Sequence, residues 1–144
     1  MGRRLAAIAV AAVCLLTAGY LAASERDADQ LRHAEELGLT GDYAGALAAA
    51  RRVDVPPQDG RALAVQAYAL QAMRRGPEAS TMFARAVARD PNNWVLHRDW
   101  GVLLAGLGRR AQAGREIGRA LRLNPGMPLP PGFSPPARSP ERAR

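Results

Sequence analysis

PEASTMFARAVARDP (residues 77–91) is followed further along the chain by AQAGREIGRALRLNP (residues 111–125). The two stretches share four positions, each shifted by 34 residues: Ala79, Phe83, Ala86 and Pro91 return as Ala113, Ile117, Ala120 and Pro125. A fixed period of this length is typical of proteins that stack pairs of helices. Because such proteins usually act by holding another molecule, the repeat favours a binding protein over an enzyme.

Breaker residues divide the rest of the chain into helices of similar size. Thr40-Gly41 and Pro56-Pro57 interrupt the helical pattern, because glycine favours turns and proline cannot continue the backbone ladder. Asp59 is a candidate N-cap for the third helix, and the stretch Asp90-Pro91-Asn92-Asn93 is predicted to end the fourth helix and cap the fifth. The predicted helices cover residues 27–39, 43–53, 61–73, 77–89, 94–107 and 109–123.

The repeated positions resemble the tetratricopeptide repeat (TPR) family, whose pattern reads W-x2-L-G-x2-Y, then A-x3-F and a closing proline. The offset is 33 residues from the first repeat to the second and 34 from the second to the third. The residues that carry the resemblance in the three repeats are Ala34, Leu37 and Ala46, then Ala67, Leu70, Ala79, Phe83 and Pro91, then Trp100, Gly101, Leu104, Ala113, Ile117 and Pro125.

The resemblance implies an all-α fold of three helix-turn-helix pairs in a short right-handed solenoid. The apolar N-terminal run predicts one hydrophobic helix before these pairs. The predicted domains are an N-terminal segment (1–24), a repeat domain (25–125, with repeats near 27–58, 60–91 and 94–125) and a tail (126–144). The tail is rich in Pro and Arg and is predicted to be mostly disordered. For residues 126–133 a second alternative is that Met127, Leu129 and Phe133 lie over the sixth helix as an extended cap.

In the TPR family the first helix of each pair lines a concave groove that binds a partner. The resemblance therefore implies a groove with Tyr68 and Arg98 as its anchors, since tyrosine and arginine often dominate interface energies. The clamp for a carboxylate that some family members carry is not expected here, because Leu31 and Glu35 stand in its place. The full set of predicted groove residues is Leu31, Glu35, Ala64, Tyr68, Gln71, Arg98, Val102 and Ala105.

The N-terminal segment is predicted to meet a membrane. Arg3 and Arg4 precede an apolar run at residues 5–23, which is long enough to span a bilayer as a helix. One interpretation is an uncleaved anchor with the N-terminus inside and the repeats outside the cytoplasmic membrane, by the positive-inside rule. The other is a cleaved signal peptide that leaves a secreted or periplasmic protein.

Charge is distributed unevenly along the chain. The net charge is +7, and most of it lies after residue 91. Such a region could meet nucleic acid, an acidic protein or an anionic membrane. No aromatic residues interleave with the arginines, so a nucleic-acid partner is not expected, and the charge is interpreted as a solvated face.

No pattern for catalysis, a cofactor or a metal is found. In the positions three and four residues further along the helix, His33 has one candidate ligand, Glu36, and His97 has none, so both are predicted to be structural or exposed. In the sixth helix, Gly114 and Gly118 are interpreted as marks of a close contact with a neighbouring element. The sequence thus predicts a non-catalytic adaptor for an unknown protein partner. Bacterial envelope or surface-polymer assembly is the process suggested for it. The alternative is a self-associating scaffold without a separate ligand.

Overall fold

The computed structural model describes residues 2–54 and 58–133. Within these ranges the secondary structure is entirely helical, which confirms the predicted all-α class. Helices that follow each other along the chain pack together, and α1 also contacts α3. The helices are α1 (Gly2–Thr40), α2 (Tyr43–Ala50), α3 (Gln58–Ala72), α4 (Gly76–Arg89), α5 (Trp94–Gly106) and α6 (Arg110–Leu123).

The N-terminal run does not form a separate helix. It continues without a break into the predicted first helix of the repeat domain, so α1 is 39 residues long. The reason lies in the junction at residues 22–28, AASERDA, where neither glycine nor proline interrupts the backbone. Asp59 also departs from its predicted role as a cap, because α3 begins at Gln58 and places Asp59 in its first turn.

A membrane-spanning segment was predicted at residues 5–23, and this prediction is wrong. Within residues 2–54 and 58–133, no helix is both long enough and apolar enough to cross a membrane. The predicted placement as a single-pass membrane protein is corrected accordingly.

The turns inside the three helix pairs share one backbone geometry. Gly41, Arg74 and Gly108 have φ values of 88°, 61° and 75°, in the left-handed region. In each turn the next amide N–H donates to a carbonyl five residues earlier, as in the bond from Arg75 to Leu70 at 2.9 Å. This pattern satisfies carbonyl groups at the end of the helix. The sequence period of 33 and 34 residues is therefore present in the backbone as well.

Arg74 occupies the turn position that glycine occupies in the other two pairs. A residue with a Cβ atom in this conformation costs about 1–2 kcal/mol. We expect Arg74→Gly to raise the free energy of unfolding by about 1 kcal/mol, or the melting temperature by about 4–8 °C. Thermal unfolding followed by circular dichroism measures the change. Gly108→Ala is the matched control and should have the opposite sign, because nothing lies near the added Cβ and only the backbone is strained.

Small side chains at the predicted positions allow the helices of each pair to pack closely. All six are buried, and a Cβ added at Gly101 would lie 2.8 Å from the side chain of Ile117. Larger side chains, of which Phe83 is one, fill the space between neighbouring pairs. The small residues are Ala34, Ala46, Ala67, Ala79, Gly101 and Ala113.

Residues 126–133 lie against α6. Met127 is only 5% exposed and forms a cluster with Ile117 and Ala120, against which Leu129 and Phe133 also pack. The two alternatives for this segment were a disordered tail and an extended cap over the sixth helix, and the structure has the cap. The rest of the predicted tail, residues 134–144, lies outside the described residues.

Candidate functional site

Two side-chain contacts connect the first helices of the three pairs. Arg61 on α3 donates to Glu35 on α1, with 2.6 Å between Nη2 and Oε1. The hydroxyl of Tyr68 on α3 donates to Oδ2 of Asp99 on α5 at 2.7 Å. A surface ion pair such as that of Arg61 with Glu35 contributes little stability. The value of the two contacts is positional, because they place side chains of α3 beside α1 and beside α5.

Tyr68 lies at the centre of this surface. Its ring meets the buried Phe83 edge to face, with 5.2 Å between the ring centroids. Burial and the hydrogen bond to Asp99 raise the pKa of Tyr68 well above its ordinary value. The phenol is therefore held neutral, with its ring orientation set from below by Phe83 and from the side by Asp99. A rigid, partly exposed tyrosine is well suited to contact a partner.

Arg98 is held at the edge of the same surface. Its Nε donates to Oδ1 of Asp99 at 2.7 Å, and its guanidinium lies 5.1 Å from the centroid of the Trp94 ring. The hydrogen bond to Asp99 raises the pKa of Arg98. Since Asp99 also accepts from Tyr68, the two predicted anchors share one carboxylate. The structure thus brings Tyr68 and Arg98 together through a residue that was not among the predicted site residues.

Leu31 was predicted to face the groove, and this prediction is wrong. Leu31 is 2% exposed and packs in a core cluster with Ala34, Ala50 and Ala62. Both α2 and α3 pack against α1, and together they bury the stripe that contains Leu31. It therefore contributes to the core and has almost no surface for a partner.

The remaining predicted residues do not share one cavity. Ala64 lines a cavity of about 430 Å³ near the start of α3, and Ala105 lines another of about 590 Å³ beside Phe133. Gln71 and Val102 are exposed. The predicted groove is thus a surface with several depressions.

An apolar depression lies between α1, α2 and α3, with a volume of about 230 Å³. Leu39 stands at its rim and is 90% exposed, and Tyr43 is a second exposed rim residue. The sequence analysis singled out neither residue. Leu39 could have been noticed, because it is a large apolar residue that lies outside the apolar stripe of α1. Glu35 and Tyr68 were predicted. The lining residues are Ala34, Glu35, Gly38, Leu39, Tyr43, Ala46, Val65, Tyr68 and Ala69.

The two histidines have different surroundings. His33 is exposed, whereas His97 is 0% exposed. Nδ1 of His97 lies 2.7 Å from Oε2 of Glu116, and Nε2 lies 3.0 Å from the carbonyl oxygen of Pro91. These contacts give His97 a structural role. Among the side chains that the structure describes, no group of three or more His, Cys, Asp or Glu residues could hold a metal ion.

Comparison of the sequence with known protein families and with characterised proteins gives no significant match.

Proposed function

We propose that this protein is a non-catalytic adaptor that binds a segment of another protein on the surface of α1, α3 and α5. We further propose that its helices form three TPR-like pairs in a short right-handed solenoid. The shared turn geometry at Gly41, Arg74 and Gly108 supports this arrangement. In such arrays the first helix of each pair is the usual binding element, and here these three helices carry the rigid Tyr68 and Arg98.

The observation that carries the proposal is the apolar depression beside Tyr68. Its rim exposes Leu39 and Tyr43, and its floor consists of small or branched apolar side chains such as Ala46 and Val65. A cavity of about 230 Å³ is large enough for one leucine or phenylalanine side chain. Burying such a side chain stabilises a complex by about 1.5–3 kcal/mol. The proposed ligand is therefore a peptide segment with at least one large apolar residue.

Charged groups connected to the lining of the depression would orient the segment. Arg61 is paired with Glu35, which lines the depression. Arg98 is paired with Asp99, which accepts a hydrogen bond from the lining residue Tyr68. Because both signs of charge are present, the surface suits a segment of mixed charge better than a strongly acidic or basic one. Complementary charges at a rim mainly govern specificity and association rate.

The adaptor is preferred over the self-associating scaffold because of the cap on α6. A further repeat would have to pack against the cluster of Ile117 and Ala120, where Met127 already lies. End-to-end stacking through this face would first require the cap to be displaced. If static light scattering on the full chain shows mass growing with concentration, the scaffold function is favoured instead.

A peptide selection followed by calorimetry tests the proposed site. Random twelve-residue peptides are selected on the full chain, and the best is titrated into the wild-type protein and into Leu39→Asp. We expect selected peptides to contain a large apolar residue and Leu39→Asp to weaken binding at least ten-fold, because the substitution charges the rim.

Leu123→Asp is the matched control. Leu123 is another exposed leucine, at the end of α6 and outside the depression, and its substitution should change affinity less than two-fold. Equal affinity of the Leu39→Asp and wild-type proteins for every selected peptide would refute the site. Circular dichroism should show both variants folded, since neither leucine is part of the core.

A further inference from the structure

The outer face of α6 carries a stripe of arginines. Arg115, Arg119 and Arg122 are exposed and lie four and three residues apart, a spacing that places side chains on one side of a helix. The stripe extends about 10 Å along the helix axis at 1.5 Å per residue. This face does not contribute to the surface of α1, α3 and α5.

The carboxylate that neighbours the stripe on α6 is paired with another residue. Glu116, the acidic residue of α6, is directed to His97 with 2.7 Å between Oε2 and Nδ1, and most of its side chain is buried. In the described ranges none of Arg115, Arg119 and Arg122 has an ion pair. By contrast, most arginines of α3, α4 and α5 are paired with carboxylates, as Arg89 is with Asp59. Among α3, α4, α5 and α6, the arginines without an ion pair are therefore concentrated on α6.

The helix surface beside the stripe is flat. A Cβ added at Gly114 would have no atom within 4 Å, and one added at Gly118 would meet only Nη1 of Arg122, at 3.7 Å. The predicted close contact with a neighbouring element at these two glycines is therefore wrong. Each glycine costs about 1 kcal/mol relative to alanine in a helix. Together with the arginines they line a shallow depression of about 390 Å³, which Glu116 also lines.

We propose that this face of α6 docks an acidic segment of a partner protein. Guanidinium groups bind carboxylates through two parallel hydrogen bonds, so three arginines over about 10 Å fit carboxylates at a similar spacing. The flat surface beside them lets a second backbone approach. A single-stranded nucleic acid fits less well, because α6 contains no aromatic residue on which a base could stack. The segment binds independently of the ligand of the apolar depression.

Fluorescence anisotropy on the full chain tests this docking site. The probe is a labelled peptide of eight glutamates, titrated with the wild-type protein and with the triple variant Arg115→Gln, Arg119→Gln, Arg122→Gln at low salt. We expect the triple variant to bind at least ten-fold more weakly, and binding by the wild-type protein to fall as salt rises.

A second triple variant controls for net charge. Arg26→Gln, Arg52→Gln, Arg74→Gln removes the same charge from exposed positions elsewhere and should change affinity less than two-fold. Equal weakening by both triple variants would overturn the proposal, because binding would then follow total charge alone. The proposal would also be overturned, in favour of a nucleic-acid ligand, if a labelled oligothymidylate of eight nucleotides bound more tightly than the glutamate peptide. Circular dichroism checks that both variants fold, as expected for exposed side chains.

Discussion

Phe83→Ala is expected to lower the free energy of unfolding by about 3–5 kcal/mol, as large aromatic truncations in cores do. Phe83 is 0% exposed and lies in the cluster that joins α3 and α4 to Leu96 of α5. Truncation leaves a cavity among Leu63, Val87 and Leu96 and removes the ring on which Tyr68 rests. The loss is thus expected to affect both the stability of the core and the candidate binding surface.

Chemical denaturation followed by helical circular dichroism measures this loss. Phe133→Ala is the matched control, because Phe133 is the second phenylalanine of the chain and is only half-buried at the edge of the cap. It should cost less than about 2 kcal/mol, since it buries less apolar area. If Phe83→Ala leaves the chain unfolded, the stability loss of the milder variant Phe83→Leu can still be compared with that of Phe133→Ala. Equal losses at positions 83 and 133 would contradict the packing described here.

His97→Ala is expected to cost about 2–3 kcal/mol, because it removes two hydrogen bonds from a buried bridge. Both ring nitrogens of His97 face acceptors, the carboxylate of Glu116 and the carbonyl oxygen of Pro91. For both to be hydrogen bonds, either the ring carries both protons or Glu116 holds one. The bridge joins the loop before α5 to α6, and without it both acceptors lose their partner.

Two further variants make this prediction specific. In Glu116→Gln the amide can donate to Nδ1 of a neutral ring while Nε2 still donates to Pro91, so the loss should stay below about 1 kcal/mol. His33→Ala, at the exposed histidine, should change stability by less than about 0.5 kcal/mol. Denaturation curves of the three variants give the comparison. If Glu116→Gln loses as much stability as His97→Ala, the amide does not replace the carboxylate in the hydrogen bond to Nδ1 of His97, and the prediction is contradicted.

Several features of the candidate site depend on contacts between distant residues. The sequence placed Tyr68 and Arg98 on the first helices of their pairs, but Asp99, which connects them, was not singled out. Leu39 and Tyr43 were missed because the groove positions were taken from a family pattern that does not include the turn between α1 and α2. Leu31 was misplaced because the same pattern does not show how deeply α3 packs against α1.

The sequence alone determined the helical class, the period and the positions of the small residues, because these follow from local rules. A side-chain period predicts a helix, a glycine or proline predicts its end, and a recurring alanine predicts close packing. At the turn between α3 and α4 the period was visible but its glycine was not, since an arginine, Arg74, adopts the left-handed conformation there.

Only the tertiary structure decided how α1 runs, where the segment after α6 lies and which partner His97 has. Each outcome depends on free-energy differences between packing arrangements, and such differences involve residues far apart in the chain. Met127 packs against Ile117 and Ala120 of α6, and Glu116 meets His97 across 19 residues of sequence. Local sequence signals predict where the helices are. Which segments pack against each helix is decided by the burial of its apolar side chains and by the hydrogen bonds of its buried polar side chains.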